Sequence, residues 1–391
     1  MRILFVSPYP PSKDGIGKYT QLIMTALQAA GHETRVVVPR VDPGHPDDVI
    51  GALSGAGRPD LAALRDTARD WTPDLIHVQF AVAAFGTRTR TLLAWLELVR
   101  ATTKIPVVVT MHEVTRDTAL LRGLGIRIYG RLSRLCDRVI VHTQAARTVL
   151  TNSVGTPPAV VSVVPHPDTK PPSVISSPGD LRRRFDLGDK ELLLAFGFIH
   201  VDKGLGDLIE ALGILRKSAP HPLDGIRLVV AGDVRPRIGL FRVFELRDKV
   251  HFARVLHRSH SAGLDHIIVL TGYVPEDDVA GWFKAAIGVV LPYRRTEQSG
   301  VASLANAFGV PVLASKVGGL AEQYGSSPWL FSPCNPQELA NVLARFVATA
   351  PQERALSAGP RTAAEMETVL EATLSTYRMA AAASEVATRW A

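Results

Sequence analysis

The chain alternates short apolar, β-branched segments with longer amphipathic segments, and it does so in two separate arrays. Segments that are apolar on both faces are typical of parallel strands buried between layers of helices. The alternation therefore predicts an α/β fold. The first array contains RILFV (2–6), ETRVVVP (33–39), DLIHVQF (74–80), IPVVVTMH (105–112), RVIVHT (138–143) and VVSVVPH (160–166). The second contains ELLLAFGFI (191–199), IRLVVAGD (226–233), HIIVLTGYV (266–274), IGVVLPY (287–293) and VPVLAS (310–315).

A stretch rich in proline and serine, PDTKPPSVISSPGD (167–180), separates the arrays and is typical of a linker. The chain has 391 residues, which is long enough to divide into two domains. We predict two doubly wound, Rossmann-like domains facing a cleft, with ligands beyond the carboxyl ends of the strands. The predicted parts are a first domain over 1–170, a linker over 171–183, a second domain over 184–365, and a C-terminal helical segment over 366–391, for which packing against the first domain is one arrangement.

Composition and charge restrict the class of protein and its partners. The two cysteines, Cys136 and Cys334, lie in no metal-ligand spacing and fit a reducing cytoplasm. The first residues do not resemble a signal peptide, and no apolar run approaches the roughly 20 residues that span a bilayer. A net charge of +7 favours anionic small molecules or an anionic membrane surface over nucleic acid as partners. We therefore expect a cytoplasmic protein.

The segment after the first strand places Gly15 and Gly17 at the start of a helix. Backbone N–H groups at the positive end of a helix can bind an anion, and a tight turn explains a G-x-G pair equally well. The dinucleotide motif G-x-G-x-x-G is not matched, because its third glycine position is Thr20. No acidic residue closes the second strand either, so a nicotinamide-dependent enzyme is disfavoured.

His112 follows the fourth strand, where a strand end would open into the cleft. A histidine there can offer a polarised N–H to a ligand, although a strand-end histidine bonded to backbone is as common. His77 and His166 occupy similar positions, and for these two we expect backbone hydrogen bonds.

Lys203 lies between a strand and a helix in FGFIHVDKGLGDLIEAL (196–212). The N-terminal end of a helix favours anions, so a cation there is unfavourable unless a phosphate binds between them. An exposed loop lysine is the alternative. The segment TEQSGVASLANAFG (296–309) begins with polar residues and continues as an apolar helix. Ser299 is a good N-cap, Gly300 would let a ligand approach the backbone, and Glu297 would accept hydrogen bonds from sugar hydroxyls or merely cap the helix.

Together these motifs resemble the retaining, nucleotide-sugar-dependent glycosyltransferases of family 4, which have the GT-B fold. The resemblance covers almost the whole chain, through DGIGKYT, VVVTMHEV, the KG of HVDKGL, LTGYVPEDDVAGWFKAA and LPYRRTEQSGVASLANAFGVPVLASKVGGLAE. Glu297 matches the first member of the family's E-x7-E pair, but Ala305 stands at the second, which contacts the ribose. Phe198 replaces the arginine of the family's G-R-x-x-x-x-K motif, although Lys203 matches its lysine. The chain is similar to a Q-S-G-V branch of the family that carries these substitutions.

The resemblance implies transfer of a hexose-type sugar from a nucleoside diphosphate, GDP or UDP, to an acceptor hydroxyl with retention and without a cofactor or metal. The acceptor would be a polyprenyl-linked or cell-surface glycan, or a specialised metabolite. A non-catalytic sugar-nucleotide-binding relative and an epimerase of a related GT-B type remain alternatives. The roles implied are His112 and Glu297 for the donor sugar; Lys203, the Gly15/Gly17 loop, Ser299 and the Gly300 and Val301 amides for the phosphates; Gly272, Tyr273 and Val274 for the base; and His200 in place of the missing arginine.

Two basic segments complete the pattern. Arginines at 127, 131, 134 and 138 would form one stripe if the segment 120–143 is helical. A solvated basic face is one interpretation, and peripheral docking at the anionic inner face of a membrane is the other. The second segment adds Arg235, Arg237, Arg242, Arg247, Lys249, Arg254 and Arg258.

Overall fold

The computed structural model describes residues 1–12, 14–53, 58–167, 171–218, 223–234, 242–356 and 365–389. Backbone contacts divide the chain into two units, one formed by Met1–Pro167 with Ala364–Ala391 and the other by Asp168–Ala363. Each unit contains one all-parallel sheet, so the predicted α/β class with two doubly wound sheets is confirmed. Residues 168–170, at the first predicted boundary, lie outside the described residues.

The first unit is built on a seven-stranded sheet with the order β3-β2-β1-β4-β5-β6-β7. The order reverses between β1 and β4, which is the point where ligands bind in doubly wound sheets. Its strands are β1 (Arg2–Val6), β2 (Glu33–Val38), β3 (Val49–Ala52), β4 (Leu75–Phe80), β5 (Val107–Met111), β6 (Arg138–Val141) and β7 (Val161–Val163). Its helices up to β7 are α1 (Gly15–Ala29), α2 (Arg58–Asp70), α3 (Val82–Phe85), α4 (Thr89–Thr102), α5 (Val114–Leu121), α6 (Gly123–Leu135) and α7 (Gln144–Val149).

The second unit is built on a six-stranded sheet with the order β10-β9-β8-β11-β12-β13 and reverses between β8 and β11. Its strands are β8 (Glu191–Phe196), β9 (Ile226–Ala231), β10 (Ile268–Leu270), β11 (Ala286–Leu291), β12 (Val312–Ser315) and β13 (Leu330–Phe331). Its helices are α8 (Pro178–Arg184), α9 (Leu205–Arg216), α10 (Arg242–Ser261), α11 (Glu276–Ala285), α12 (Gly300–Ala307), α13 (Gly318–Gln323), α14 (Pro336–Ala348) and α15 (Pro351–Leu356).

The last helix, α16 (Met366–Arg389), returns the chain to the first unit. It contacts α1, β5 and β6. One face of the helix is buried, with Val369, Thr373, Tyr377 and Ala380 spaced three or four residues apart, as the helical period requires. Three of these side chains join the apolar cluster that covers one face of the first sheet.

The structure differs from the local predictions in two respects. The strands β3 and β13 were not predicted, because four and two residues are too short for a periodic pattern to stand out. Part of the predicted linker is helical, since α8 begins at Pro178 with a capping box between Ser177 and Asp180. Among the described residues, none of the helices combines the length and the hydrophobicity needed to cross a membrane.

Candidate functional site

Polar groups of the second unit follow two adjacent strands at the point where the strand order reverses. Lys203 follows β8 and Glu297 follows β11, and these two strands pair in the sheet. The carboxyl ends of parallel strands lie at the same edge, where doubly wound sheets bind their ligands. The structure therefore places these two predicted site residues at one edge of one sheet.

A glycine brings the Lys203 turn against the loop after β11. Gly204 caps α9 with φ +67°, and a Cβ atom there would lie 1.7 Å from the carbonyl oxygen of Pro292. A side chain cannot occupy that space, so only glycine permits both the left-handed conformation and the close approach. The position of Lys203 relative to the loop after β11 therefore depends on Gly204.

The next residue of this loop supports the Lys203 ammonium. The Nζ atom lies 3.6 Å from the centre of the Tyr293 ring, and Tyr293 is buried. An aromatic face attracts a cation without neutralising its charge. Among the residues that the structure describes, no carboxylate lies within ion-pair distance of this ammonium. Its contact with the Tyr293 ring leaves the charge of the ammonium in place, and binding of a phosphate by Lys203 stays a prediction.

Arg294 was missed by the sequence analysis. Its guanidinium donates two hydrogen bonds, of 2.9 and 2.6 Å, to the carboxylate of Asp207 in the first turn of α9, and this contact raises the pKa of Arg294. Its backbone N–H donates to the carbonyl of Asp202. A bidentate ion pair of this kind fixes geometry as well as contributing energy. Arg294 therefore joins the loop after β11 to the turn and helix that follow β8.

Backbone contacts hold Glu297 at the start of α13. The Glu297 carbonyl accepts a hydrogen bond from Gly319, and Gly318, with φ +45°, lies so close that a Cβ atom would be 1.9 Å from the carbonyl oxygen of Thr296. The Glu297 side chain is buried. A carboxylate fixed in this way suits a role in orienting a ligand rather than in solvation of a loop.

Helix α12 begins as the sequence predicts. The Ser299 hydroxyl accepts a hydrogen bond of 3.2 Å from the backbone N–H of Ala302. A Cβ atom added at Gly300 would have no neighbouring atom within 4 Å, so the space beside this residue is open. Val301 occupies the next position in the first turn. Ala305, at the position of the family's second glutamate, is fully buried in an apolar cluster. A carboxylate there would be desolvated, so the substitution changes a polar position into a core position.

Phe198 and Lys203 line one pocket at this edge together with Gly197, Pro292 and Tyr293. Phe198, which replaces the family's arginine, has 43% of its surface exposed. His200, the predicted substitute, adopts an extended backbone just before the Lys203 turn, with Nδ1 3.9 Å from the Asp202 carboxylate. The role of His200 in place of the missing arginine stays a prediction.

The predicted base-binding segment follows β10. Gly272 has φ +68° and open space beside it, and Tyr273 exposes 65% of its surface. Val274 packs against the apolar cluster of the same unit. Such a combination leaves backbone groups and one aromatic face accessible. The acidic run that follows opens α11, and Asp278 in it accepts from Ser176 and Arg184.

The glycine loop of the first unit differs from its prediction. Asp14 caps α1, and its carboxylate accepts from the N–H groups of Ile16, at 2.8 Å, and Gly17, at 3.3 Å. A Cβ atom added at Gly17 would lie 3.3 Å from backbone atoms of Pro8 and Tyr9. Close packing therefore explains why this position is a glycine. The amide that was predicted to bind a phosphate is thus bound to a carboxylate of the chain itself. Only Gly15 keeps open space beside it.

Three histidines follow three neighbouring strands of the first sheet. His112, His142 and His166 come after β5, β6 and β7. The ring centre of His142 lies 4.9 Å from that of His112 and 5.4 Å from that of His166. Tyr19 of α1 packs against all three rings. The sequence analysis missed His142 and Tyr19, although His142 follows its strand just as His112 does. That repeated placement is the signal that would have identified His142.

Both ring nitrogens of His112 have partners in the chain. Nε2 lies 2.8 Å from the amide of Gln79, and Nδ1 lies 3.3 Å from His142 Nε2. The predicted N–H of His112 is therefore engaged within the unit rather than held out to solvent. Glu113, the next residue, pairs with Arg116, and burial raises the pKa of its carboxyl.

The prediction for His77 is wrong. It lies within β4 rather than at a strand end, and its ring bonds to side chains: Nδ1 is 2.6 Å from the Tyr377 hydroxyl and Nε2 is 2.8 Å from Thr110 Oγ1. His166 does contact backbone, through Nδ1 and the carbonyl of Pro167 at 3.2 Å. Burial, and secondarily a neighbouring histidine, lowers the pKa of His77 and of His142 to about 3. These rings are therefore neutral at physiological pH.

Two family models match consecutive parts of the chain. The model described as "Glycosyltransferase Family 4" matches residues 13–167, and the model described as "Glycosyl transferases group 1" matches residues 190–349. The first range lies in the first unit and the second range in the second unit. Each sheet is therefore covered by its own model.

Curated relatives are similar over most of the chain. A D-inositol 3-phosphate glycosyltransferase of Streptosporangium roseum is 27% identical over 325 residues, which covers 80% of this chain and 69% of the relative. A glycogen synthase of Mycobacterium tuberculosis is 28% identical over 427 residues, which covers 96% of this chain and 94% of the relative.

Solved structures have the same fold. A structure of Anabaena Alr3699/HepE in complex with UDP and glucose has a TM-score of 0.73 at 19% sequence identity. The match covers 97% of this chain and 99% of the HepE chain. Sucrose-phosphate synthase from Thermosynechococcus elongatus has a TM-score of 0.72 at 20% identity, with 98% and 100% covered.

Proposed function

The chain belongs to the family 4 glycosyltransferases with the GT-B fold, and from that premise we propose that it transfers a hexose-type sugar with retention to an acceptor hydroxyl. Glycosyltransferase activity with a nucleotide-sugar donor follows from the family matches. Retention, the donor and the acceptor are the parts that we propose. The acceptor is a polyprenyl-linked or cell-surface glycan, or a specialised metabolite.

One observation carries the proposal. The Lys203 turn, through Gly204, Tyr293 and Arg294, is joined to the loop that leads to Glu297. A cation and a carboxylate are thus held at one edge of the sheet before any ligand arrives. Preorganised groups of this kind stabilise charge that develops on a leaving group without having to reorganise during the reaction.

Each group has a proposed role. Lys203 and the first turn of α12, from Ser299 to Val301, bind the diphosphate, and Lys203 stabilises the charge on the leaving phosphate. Because these groups supply positive charge, we propose a reaction that does not depend on a bound metal. Glu297 binds hydroxyls of the donor sugar, and His112 is a second candidate for hydrogen bonding to a sugar hydroxyl. The backbone around Tyr273 binds the base.

The proposed donor is a UDP-hexose, with GDP-hexoses as the alternative. The support is the HepE structure, which contains UDP and glucose. The test is incubation of the protein with a panel of UDP- and GDP-hexoses, in which water serves as the acceptor. Release of nucleoside diphosphate is measured, and NMR records the anomeric configuration of the released hexose before it mutarotates. Release with retention supports the proposal, whereas an inverted product contradicts the proposed stereochemistry.

A non-catalytic nucleotide-sugar-binding protein is the second candidate. Ala305 and Phe198 favour it, because a ribose-binding carboxylate and a phosphate-binding arginine are absent from their family positions. Thermal stabilisation by a nucleotide sugar, together with no release of nucleoside diphosphate, would establish this candidate. A bound ligand at 100 times its dissociation constant stabilises a protein by about 2.7 kcal/mol.

Docking at an anionic membrane surface is also proposed, and its support lies on α10 rather than on α6. Helix α6 ends at Leu135, so Arg138 belongs to β6 and leaves the predicted stripe, and Arg131 pairs with Glu97. Arg235 and Arg237 lie outside the described residues. These facts weaken the arginine stripe of the first unit as a docking surface.

Helix α10 exposes apolar and basic side chains together. Val243, Leu246 and Val250, three and four residues apart, expose 72%, 64% and 41% of their surfaces. Arg254 and Arg258 are exposed on the following turns. An apolar stripe with basic residues beside it is typical of helices that lie in the interface of an anionic membrane. This surface would bring the enzyme to a lipid-linked acceptor.

A further inference from the structure

The loop that follows β11 carries two adjacent arginines with different surroundings. Arg294 donates two hydrogen bonds, of 2.9 and 2.6 Å, to the Asp207 carboxylate. Arg295 is exposed, and within the described part of the chain its guanidinium pairs with no carboxylate and with no other acceptor. A guanidinium carries several N–H donors in a fixed geometry and keeps its charge at physiological pH. The donors of Arg295 are therefore open to a ligand, whereas Arg294 is engaged by Asp207.

The backbone on both sides of Arg295 is anchored. Before it, the Arg294 N–H donates a hydrogen bond of 2.8 Å to the carbonyl of Asp202, in the turn that follows β8. After it, the Glu297 carbonyl accepts a hydrogen bond of 3.1 Å from the Gly319 N–H. The exposed side chain of Arg295 therefore starts from a fixed point at this edge of the sheet.

The first of these backbone hydrogen bonds brings Arg295 near Lys203. Asp202, which accepts the bond, directly precedes Lys203 in the chain. Arg294, which donates it, directly precedes Arg295. Each cation is thus one residue away from the bond that joins the two turns, and consecutive Cα atoms are about 3.8 Å apart. Lysine and arginine side chains are longer than this step, so one diphosphate can contact both cations.

Lys203 alone gives this edge little positive charge. Among the described residues that line the pocket it is the only charged one, and Phe198 beside it is aromatic. The segments 197–207 and 292–300, which follow β8 and β11, carry the carboxylates of Asp202, Asp207 and Glu297. The same segments hold only two cations besides Arg295, namely Lys203 and Arg294. Without Arg295 the carboxylates would outnumber the cations, which disfavours a bound diphosphate.

We propose that Arg295 is a phosphate-binding residue, which holds the diphosphate of the donor together with Lys203. The proposal rests on the proposed function, because it adds a group to the binding of the same nucleotide sugar. Each phosphate of the donor carries a negative charge, and Arg295 makes the cations of the two segments equal in number to their carboxylates. A guanidinium also suits this ligand, since its parallel N–H groups bind two phosphate oxygens at once.

His200 is the other candidate for this role. The sequence predicts it in place of the missing arginine, and its Nδ1 lies 3.9 Å from the Asp202 carboxylate. A carboxylate at that distance competes with a phosphate for the ring. Arg295 has no such competitor in the part of the chain that the structure describes. We therefore expect Arg295 rather than His200 to bind the phosphate, and variants of both residues separate the two.

The test measures binding and needs no turnover. Titration calorimetry of the full chain uses UDP, GDP and their free nucleosides. Arg295→Gln is expected to weaken diphosphate binding roughly tenfold to a hundredfold, because a charge-assisted contact is lost, and to leave nucleoside binding nearly unchanged. Arg295→Lys keeps the charge, so its affinity is expected to lie between those of the wild type and Arg295→Gln. The loss in Arg295→Gln should shrink as salt is added, since salt screens exposed charges.

Arg216→Gln is the matched control for binding. Arg216 is an exposed arginine of the same unit at the last position of α9. This helix has 12 residues and is therefore about 18 Å long, with Lys203 before its other end. Arg216→Gln is expected to bind the diphosphate as the wild type does.

Denaturant unfolding separates binding from stability. Arg295→Gln should leave the unfolding midpoint unchanged, because the exposed side chain has no partner among the described residues. Arg294→Gln should lower the midpoint, because it breaks the pair with Asp207. A midpoint lowered as much in Arg295→Gln as in Arg294→Gln would mean that Arg295 acts on the fold, which overturns the proposal.

The binding measurements decide the role of Arg295. Equal diphosphate affinity in Arg295→Gln and the wild type, or a larger loss in His200→Gln than in Arg295→Gln, overturns the proposal. A wild type that binds neither UDP nor GDP overturns it as well. A wild type that binds a diphosphate but releases none from any nucleotide sugar contradicts the proposed function instead, and the affinity of Arg295→Gln still decides whether Arg295 binds the phosphate.

Discussion

The Lys203 ammonium lies 3.6 Å from the centre of the Tyr293 ring. The two residues follow adjacent strands, β8 and β11, so the contact joins both halves of the candidate phosphate site in the second unit. The ring holds the cation in place while its charge stays available to a ligand.

This contact gives the first prediction. Lys203→Ala should weaken nucleoside diphosphate binding roughly tenfold to a hundredfold and leave binding of the free nucleoside nearly unchanged, because a charge-assisted bond to phosphate is lost. Titration calorimetry with both ligands measures the difference. Lys217→Ala, an exposed lysine at the other end of α9, is the matched control and should bind as the wild type does. Equal losses for diphosphate and nucleoside would show that Lys203 does not contact the phosphate.

The second prediction concerns Gly204. Gly204→Ala should lower the free energy of unfolding by the ~1–2 kcal/mol that a left-handed conformation costs a side chain, plus ~1–3 kcal/mol for the clash with Pro292. Gly188→Ala is the control, because Gly188 has φ +56° and nothing within 4 Å of a would-be Cβ atom. Denaturant unfolding compares the two. A loss in Gly204→Ala no larger than in Gly188→Ala would mean that the close approach does not exist.

The third prediction is a loss of stability in acid. Burial lowers the pKa of His77 and His142 from 6.5 to about 3, so the unfolded chain binds protons that the folded chain does not. Stability is therefore fully present above pH 6.5 and falls as the pH drops toward about 3, by about 1.4 kcal/mol per pH unit for each of the two rings.

Denaturant unfolding as a function of pH measures this slope. His77→Gln should reduce the slope by one ring's share, whereas His257→Gln, at an exposed position of α10, should leave it unchanged. A slope that is the same in all three proteins would show that the buried histidines already titrate in the folded state.

The fourth prediction concerns α10. Vesicles that contain phosphatidylglycerol should bind the wild type at low salt and release it at high salt. Arg254→Ser with Arg258→Ser should weaken binding roughly thirtyfold, at about 1 kcal/mol for each basic residue. Leu246→Ser should weaken it further by removing apolar contact. The comparison variant carries serine at Arg127, Arg131 and Arg134 of α6. A larger effect from α6 than from α10, or no binding at low salt, contradicts the proposed surface.

Much of the fold was predictable because local patterns determine it. The apolar segments and the Pro/Ser-rich stretch between them predicted two parallel sheets, which the structure contains. Ser299 caps α12, as its residue type predicts. The Lys203 turn was also identified, since a lysine before a helix is unusual enough to be noticed. These features depend on residues that are close together in the chain.

The remainder depends on contacts between distant residues. The Asp207–Arg294 pair and the Tyr377–His77 bond join positions that no periodic pattern relates. The prediction for the glycine loop differs from the structure for another reason. Asp14 is an ordinary N-cap, and its carboxylate accepts hydrogen bonds from the Ile16 and Gly17 amides, which were expected to face a phosphate. Residue type alone did not show that the Asp14 carboxylate, rather than a phosphate, would accept from these amides.

The most direct test of the central claim compares Glu297→Gln with the wild type. Glu297 is proposed to bind the sugar and not the diphosphate, so the variant should bind nucleoside diphosphate as the wild type does. With the UDP- or GDP-hexose that the wild type turns over, release of nucleoside diphosphate should fall on the order of a hundredfold, since an interaction that strengthens in the transition state is weakened. Glu322→Gln, at an exposed position of α13, should retain full turnover. Equal turnover in Glu297→Gln and the wild type, or no release by the wild type with any donor, would contradict the account.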